Sequence, residues 1–188
     1  MVEELTKKKE SCDRYLESKM EELWEISKYI HANPELCFTE VKACTEQCKF
    51  LEKYGFQVEK GVGTLDTAYC ATFSNDKKGP VIAVVSEYDA LPIGHACGHN
   101  LIACTALGTA IEVKKFMEDT GISGTLKVIG TPAEESGGGK IILLEHGVFD
   151  GVDAVFMMHP TSDTTRLAGA CLSSKRYKVI YHGVSAHA

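Results

Sequence analysis

The stretch Glu87-Tyr88-Asp89-Ala90-Leu91-Pro92-Ile93-Gly94-His95-Ala96-Cys97-Gly98-His99-Asn100 decides what kind of protein this is. Before it, Val81 to Val85 is an unbroken apolar run of strand length. After it, Leu101 to Phe116 is an apolar, Ala-rich segment of helix length. Length separates a buried strand from a buried helix in such runs, and strand, polar loop, helix opens a βαβ unit. The loop holds the carboxylates Glu87 and Asp89, the histidines His95 and His99, and Cys97. One glycine separates Cys97 from His99, so a turn can aim a thiolate and an imidazole at one point. Both are good donors for a borderline-soft cation such as zinc.

A four-coordinate site needs more donors, and they lie downstream. A second strand-like run, Leu126 to Ile129, ends in Gly130-Thr131-Pro132-Ala133-Glu134-Glu135-Ser136-Gly137-Gly138-Gly139. A third, Val152 to Met158, ends in His159-Pro160. Each run delivers ligand-type groups just past its C-terminal end, the edge at which open parallel α/β sheets bind ligands. Adjacent glutamates on an irregular loop point in different directions, so one can ligate a metal while the other acts on a water. The alternative for such a pair is a solvated acidic turn. Gly137 to Gly139 before Lys140 do not make a phosphate cradle, because Ile141 stands where the Walker loop has Ser or Thr. Close backbone approach to a substrate or metal is the expected reason for them. Cys97 as a nucleophile activated by His99 is the weaker alternative, since neighbours one residue apart converge on a third body more readily than on each other.

The remaining chain completes an α/β pattern. Leu5, Cys12, Leu16, Met20, Leu23, Ile26 and Ile30 recur at helical steps, and His31-Ala32-Asn33-Pro34-Glu35 ends that helix. Thr39 and Glu40 open a second one, with Val41, Cys44, Cys48 and Leu51 as its apolar stripe and Gly55 as its stop. Phe56 to Val62 and Thr67 to Phe73 read as strands, and Lys140 to His146 as a helix. Arg166 to Leu172 and Lys175 to Tyr181 read as a hairpin. The fold expected is α/β, a mixed and largely parallel sheet flanked by helices.

The 188 residues are enough for one domain with a sizeable core. Their net charge of -6 disfavours nucleic acid and anionic membrane as partners. The first ten residues are too charged for a signal peptide, and no apolar run reaches the length of a membrane span, so the cytosol is the expected location. The eight cysteines include no C-x-x-C pair and read as free thiols, Cys97 apart.

Asp89-Ala90-Leu91-Pro92, His95-Ala96-Cys97-Gly98-His99, Pro132-Ala133-Glu134-Glu135, His159-Pro160 and Ser185-Ala186-His187-Ala188 together resemble the metal-dependent aminoacylases, carboxypeptidases and dipeptidases, the M-twenty metallopeptidases. The step from Leu91-Pro92 to His95, with Asn100 after His99, resembles the branch of β-alanyl-lysine-type dipeptidases and aminobenzoyl-glutamate hydrolases. The resemblance implies Cys97, His99, Glu135 and His159 as ligands of a divalent metal, zinc or else manganese, in a two-metal site. It implies Glu134 as general base and Asp89 as a carboxylate that orients a ligand; Glu87 stands where a histidine is usual. His187 would stabilise the oxyanion from a lid and dimerisation domain, often across a homodimer. The substrate implied is a dipeptide, with a basic C-terminal residue in this branch, or an N-acyl amino acid. Residues 1–164 would be the first part of the catalytic domain and 165–188 the first strands of the α+β lid. The family's late histidine ligand has no counterpart here. A fragment that by itself turns over weakly or not at all, or acts only as a binding or dimerisation protein, is therefore expected.

Overall fold

The computed structural model describes residues 2–75, 78–161, 167, 177–184 and 187. Two apolar runs rich in β-branched residues become its central strands, β3 (Val81–Ser86) and β4 (Thr125–Gly130). They pair in parallel, Val81 opposite Thr125 and Ser86 opposite Gly130. The connection between them is α4 (His99–Thr120), closed by Gly121 in the left-handed conformation. On one side β4 pairs with β2 (Tyr69–Ser74), which pairs with β1 (Gln57–Lys60), both antiparallel. On the other, β3 pairs in parallel with β5 (Ala154–Phe156), giving the order β1-β2-β4-β3-β5. The sheet is mixed, as expected, with its parallel part around β3.

Both faces of the sheet are covered, which is why the central runs are apolar rather than alternating. Ala71, Val84, Leu126 and Val128 pack on one side with Leu23, Ile30, Leu51, Leu107 and Ile111 from the helices. Ala83 and Ile129 face the other way, against Leu143 of α5 (Gly139–Glu145). A fully buried side chain such as Leu107 contributes about 2 kcal/mol by leaving water.

The long N-terminal periodic segment is two helices, α1 (Val2–Glu17) and α2 (Met20–Ala32). The Ser18 hydroxyl donates back to the Tyr15 carbonyl at 2.6 Å, and the Lys19 amide bonds to the Leu16 carbonyl at 2.8 Å, tightening and ending α1. The break lets Leu16 and Leu23, one from each helix, meet α4 at Gly108, where an added Cβ would lie 3.4 and 3.3 Å from their δ-carbons. Helix α3 (Val41–Lys53) buries Cys44, Cys48 and Leu51 as expected, together with Phe50 and Gln47, but Val41 is exposed. Its stop at Gly55 has φ 81°.

The third strand is shorter than its apolar run. Ala154 to Phe156 pair with β3, and Phe156, Met157 and Met158 are exposed; among the described residues β5 has a neighbour on one side only. Most of the hairpin expected over 166–181 lies outside the described residues, and its described part, 177–181, is exposed chain outside the sheet. Among the described residues no helix is long and apolar enough to cross a membrane.

Candidate metal centre

Because β3, β4 and β5 run in parallel, their C-terminal ends open on one rim. Ser86 leads into Glu87, Tyr88 and Asp89; Gly130 leads into Thr131 to Glu135; Phe156 leads to His159. The fourth contribution is His99, the first residue of α4, entered through Gly98 at φ 77°. Gly98 has a second constraint, since a Cβ there would lie 3.1 Å from Pro160 Cγ. The His159-Pro160 segment thus seats against the turn that carries His99.

His99 is at the centre and only 1% exposed. Its Nδ1–H donates to Asp89 Oδ1 at 3.0 Å, which leaves the Nε2 lone pair directed into the rim. Nε2 is 3.4 Å from Glu87 Oε2 and 3.7 Å from Glu135 Oε1, and the His159 ring stands edge-on with centroids 5.9 Å apart. His159 Nδ1–H donates to the Pro160 carbonyl at 2.8 Å, so its Nε2 is also the free nitrogen. Asp89 carries a second load: its Oδ2 accepts the Glu135 amide at 3.0 Å. One buried carboxylate thereby orients a histidine from α4 and a glutamate from the β4 loop.

Two sets of donor atoms lie within 4.8 Å of one another: Glu87, His99 and His159, and His99, Glu134 and Glu135. The buried atoms His99 Nε2 and Glu87 Oε2 have no hydrogen-bond partner among the described residues. Orphaned buried polar atoms are rare and call for a ligand or ion, and imidazole with carboxylate is a donor set that suits a divalent cation. The residues fit a metal. Cys97 belongs to neither set; its thiol bonds the Glu135 carboxylate. That bond first, then burial, pushes its pKa up to about 11. A thiol so protonated is a poor nucleophile at neutral pH, which disfavours the thiol-hydrolase alternative. His187 is exposed and lies in neither set.

The glycine-rich loop packs tightly on the rest of the chain. A Cβ on Gly137 would fall 2.4 Å from the Phe38 ring and 2.7 Å from the Ala133 methyl; one on Gly139 would fall 1.9 Å from the Pro132 carbonyl oxygen. At these two positions the chain itself approaches closely enough to require glycine. Gly139→Ala is expected to destabilise the protein by about 3 kcal/mol, because backbone cannot yield as a side chain does. Urea unfolding midpoints check this, and a loss below about 0.5 kcal/mol would contradict it.

Residues 83–182 match the Peptidase family M20/M25/M40. The chain belongs to that family. It is similar to one of the subunits of p-aminobenzoyl-glutamate hydrolase from Escherichia coli, with 34% identity over 94% of this chain and 40% of the relative. It is also similar to Xaa-Arg dipeptidase of Mus musculus, with 36% identity over 96% of this chain and 44% of the relative. Among solved structures, the Bacillus subtilis YXEP protein, a dinuclear metal binding peptidase from the M20 family, matches with TM-score 0.71 and 31% identity, over 78% of this chain and 45% of that one. The chain thus spans less than half the length of these relatives.

One contributor to this M20-family rim was not apparent from motif spacing. Lys140, the second residue of α5, pairs with Glu87 Oε1 and so neutralises a carboxylate that is 1% exposed. No spacing rule links residues 53 apart; the only signal was a lone lysine at the close of a glycine run. His95 is buried beside His31, ring centroids 6.3 Å apart. Burial first, then His99 and His31, hold its pKa below the usual histidine value.

Proposed function

We propose that this polypeptide carries part of the catalytic machinery of a metallodipeptidase that hydrolyses the amide bond of dipeptides with a basic C-terminal residue. The observation that carries the proposal is His99: Nδ1 tied to Asp89, Nε2 orphaned and facing Glu87, Glu135 and His159. The residues that would hold a metal are His99, Glu135, His159 and Cys97, the last as a thiolate once its proton is released. A divalent metal bound there, zinc by the nitrogen and sulfur donors, would polarise the scissile carbonyl and acidify water.

Glu134 is the general base. It takes a proton from the attacking water as the oxygen adds to the carbonyl carbon, and returns it to the nitrogen as the C–N bond breaks. Its exposure at the rim leaves room for substrate beside it. Asp89 and Lys140 do not touch the reacting atoms; they hold His99, Glu135 and Glu87 in place. His187 donates to the developing oxyanion, contributed by a lid that begins near residue 165, with residues 1–164 forming the catalytic part and the full-length protein a homodimer. The Xaa-Arg dipeptidase relative supports the basic dipeptide. The p-aminobenzoyl-glutamate hydrolase relative supports a second reading, an amidohydrolase of N-acyl amino acids.

Elemental analysis and a substrate panel test this directly. The full-length protein is expected to hold zinc and to cleave dipeptides ending in Lys or Arg faster than N-acyl amino acids. The reverse preference would favour the amidohydrolase. A folded protein with no bound metal and no turnover on either set would leave a binding role.

A further inference from the structure

The residue before the two rim glutamates has a backbone conformation that its side chain disfavours. Ala133 has φ 59°, in the left-handed region, where Cβ crowds the carbonyl oxygen. Among the described residues, the other non-glycine residues there are Phe38 at 64° and Thr64 at 66°. The amides of two of these three converge on a single atom. Glu40 Oε1 accepts the Phe38 N–H at 3.0 Å and the Ala133 N–H at 2.8 Å. The other oxygen, Oε2, accepts the Thr67 hydroxyl at 2.9 Å. Glu40 has no exposed surface. An acid is expensive to bury unless each oxygen finds a donor, and here two of the three donors are backbone N–H groups of strained residues. Such strain persists only where the surroundings over-determine it, and it gathers at functional sites.

The clamp acts at two points of the loop. It holds Ala133 directly. Through Phe38 it also positions the ring that packs against Gly137. Between those points lie Glu134 and Glu135, whose amides are held by the Asp89 carboxylate, that of Glu135 at 3.0 Å from Oδ2, and the Ala133 carbonyl accepts the Gly137 and Gly139 amides.

We propose that Glu40 is a positioning residue: touching no reacting atom, it holds Ala133 in the left-handed conformation and so sets the direction in which Glu134 and Glu135 leave the end of β4. The inference rests on the roles proposed for those two glutamates. What matters is acceptor geometry rather than negative charge. The amide oxygen of a Glu40→Gln side chain can accept both N–H groups while its NH2 donates to Thr67. Glu40→Asp, one methylene shorter, keeps the charge and loses the reach.

The test uses the full-length protein, with amide hydrogen exchange across 131–139 measured beside a zinc titration and steady-state kinetics. Glu40→Gln is expected within about threefold of wild type in all three. Glu40→Asp and Glu40→Ala are expected to speed exchange at Ala133 and Glu135 at least about tenfold, weaken zinc about 10- to 100-fold, and lower kcat with KM little changed. Exchange in β3 and α4 stays as in wild type. Loop exchange unchanged in folded Glu40→Asp overturns the proposal. So does a Glu40→Gln defect as large as that of Glu40→Ala, or exchange accelerated equally throughout the fold. Should Glu40→Ala not fold, Glu40→Asp carries the same comparison. If wild type binds no zinc and cleaves nothing while loop exchange still responds as expected, the clamp stands and the proposed function falls.

Discussion

Glu134→Gln is expected to lower kcat by about 100- to 10,000-fold, the usual worth of a positioned general base, while bound metal and folding stay as in wild type. The substitution is close to isosteric and the side chain is exposed, so little packing is disturbed. It removes the basic oxygen and nothing else. The neighbouring Glu135→Gln gives the contrast: there a ligand is lost, so metal content should fall with activity. Metal analysis and steady-state kinetics on both variants separate base from ligand. A Glu134→Gln protein retaining a tenth of wild-type kcat, or one that loses its metal, would show that the roles of the two glutamates are wrongly divided.

Asp89→Asn is the second large effect. Asp89 holds His99 Nδ1–H with one oxygen and the Glu135 amide with the other. An asparagine has one oxygen, so one of the two donors is left without an acceptor, and metal affinity should fall about 10- to 100-fold. The metal-free protein adds a pH signature. Burial pushes the Asp89 carboxyl up, but the bond from His99 and the amides of Glu135 and Glu134 outweigh it and hold its pKa below the usual carboxylate value. Its stabilisation is present above about pH 4 and lost as pH falls through the folded value. Burial pulls His99 down, but Asp89, then Glu87 and Glu135, outweigh it and raise its pKa. That stabilisation is complete below about pH 6.5 and lost as pH rises through the folded value. The pair therefore contributes most between about pH 4 and 6.5. Thermal unfolding of metal-free wild type should show the greatest advantage over Asp89→Asn in that window, and parallel curves would refute it.

The chemistry-bearing loops were legible in the sequence because each follows an apolar run. Parallel strands then force Glu87, Asp89, Glu134, Glu135 and His159 to one rim, whatever their separation along the chain. The place of His99 at the start of α4 was legible for a similar reason, since a glycine before an apolar, Ala-rich run suits the turn that opens a helix. What could not be read was the support beneath the rim. Glu40 looks like an ordinary helix opener, and its partner Ala133 is 93 residues away. Lys140 looks like a solvated helix start until Glu87 is known to lie across from it. The break after Glu17 was hidden because Leu16 and Leu23 keep helical spacing through it. The three-residue length of β5 was equally hidden, since hydrophobicity does not reveal whether a strand has one neighbour or two.

That outermost strand has a thermodynamic consequence. His159 sits three residues beyond β5, which among the described residues pairs with β3 alone, whereas His99 begins the 22-residue helix α4. Under the ligand assignment proposed above, a cation joining the two imidazoles would act as a clasp, fastening the β5 border of the described sheet to the start of α4. Chelation should then loosen the molecule from that border inward, so that ion occupancy and the ordering of the border strand rise and fall as one linked equilibrium.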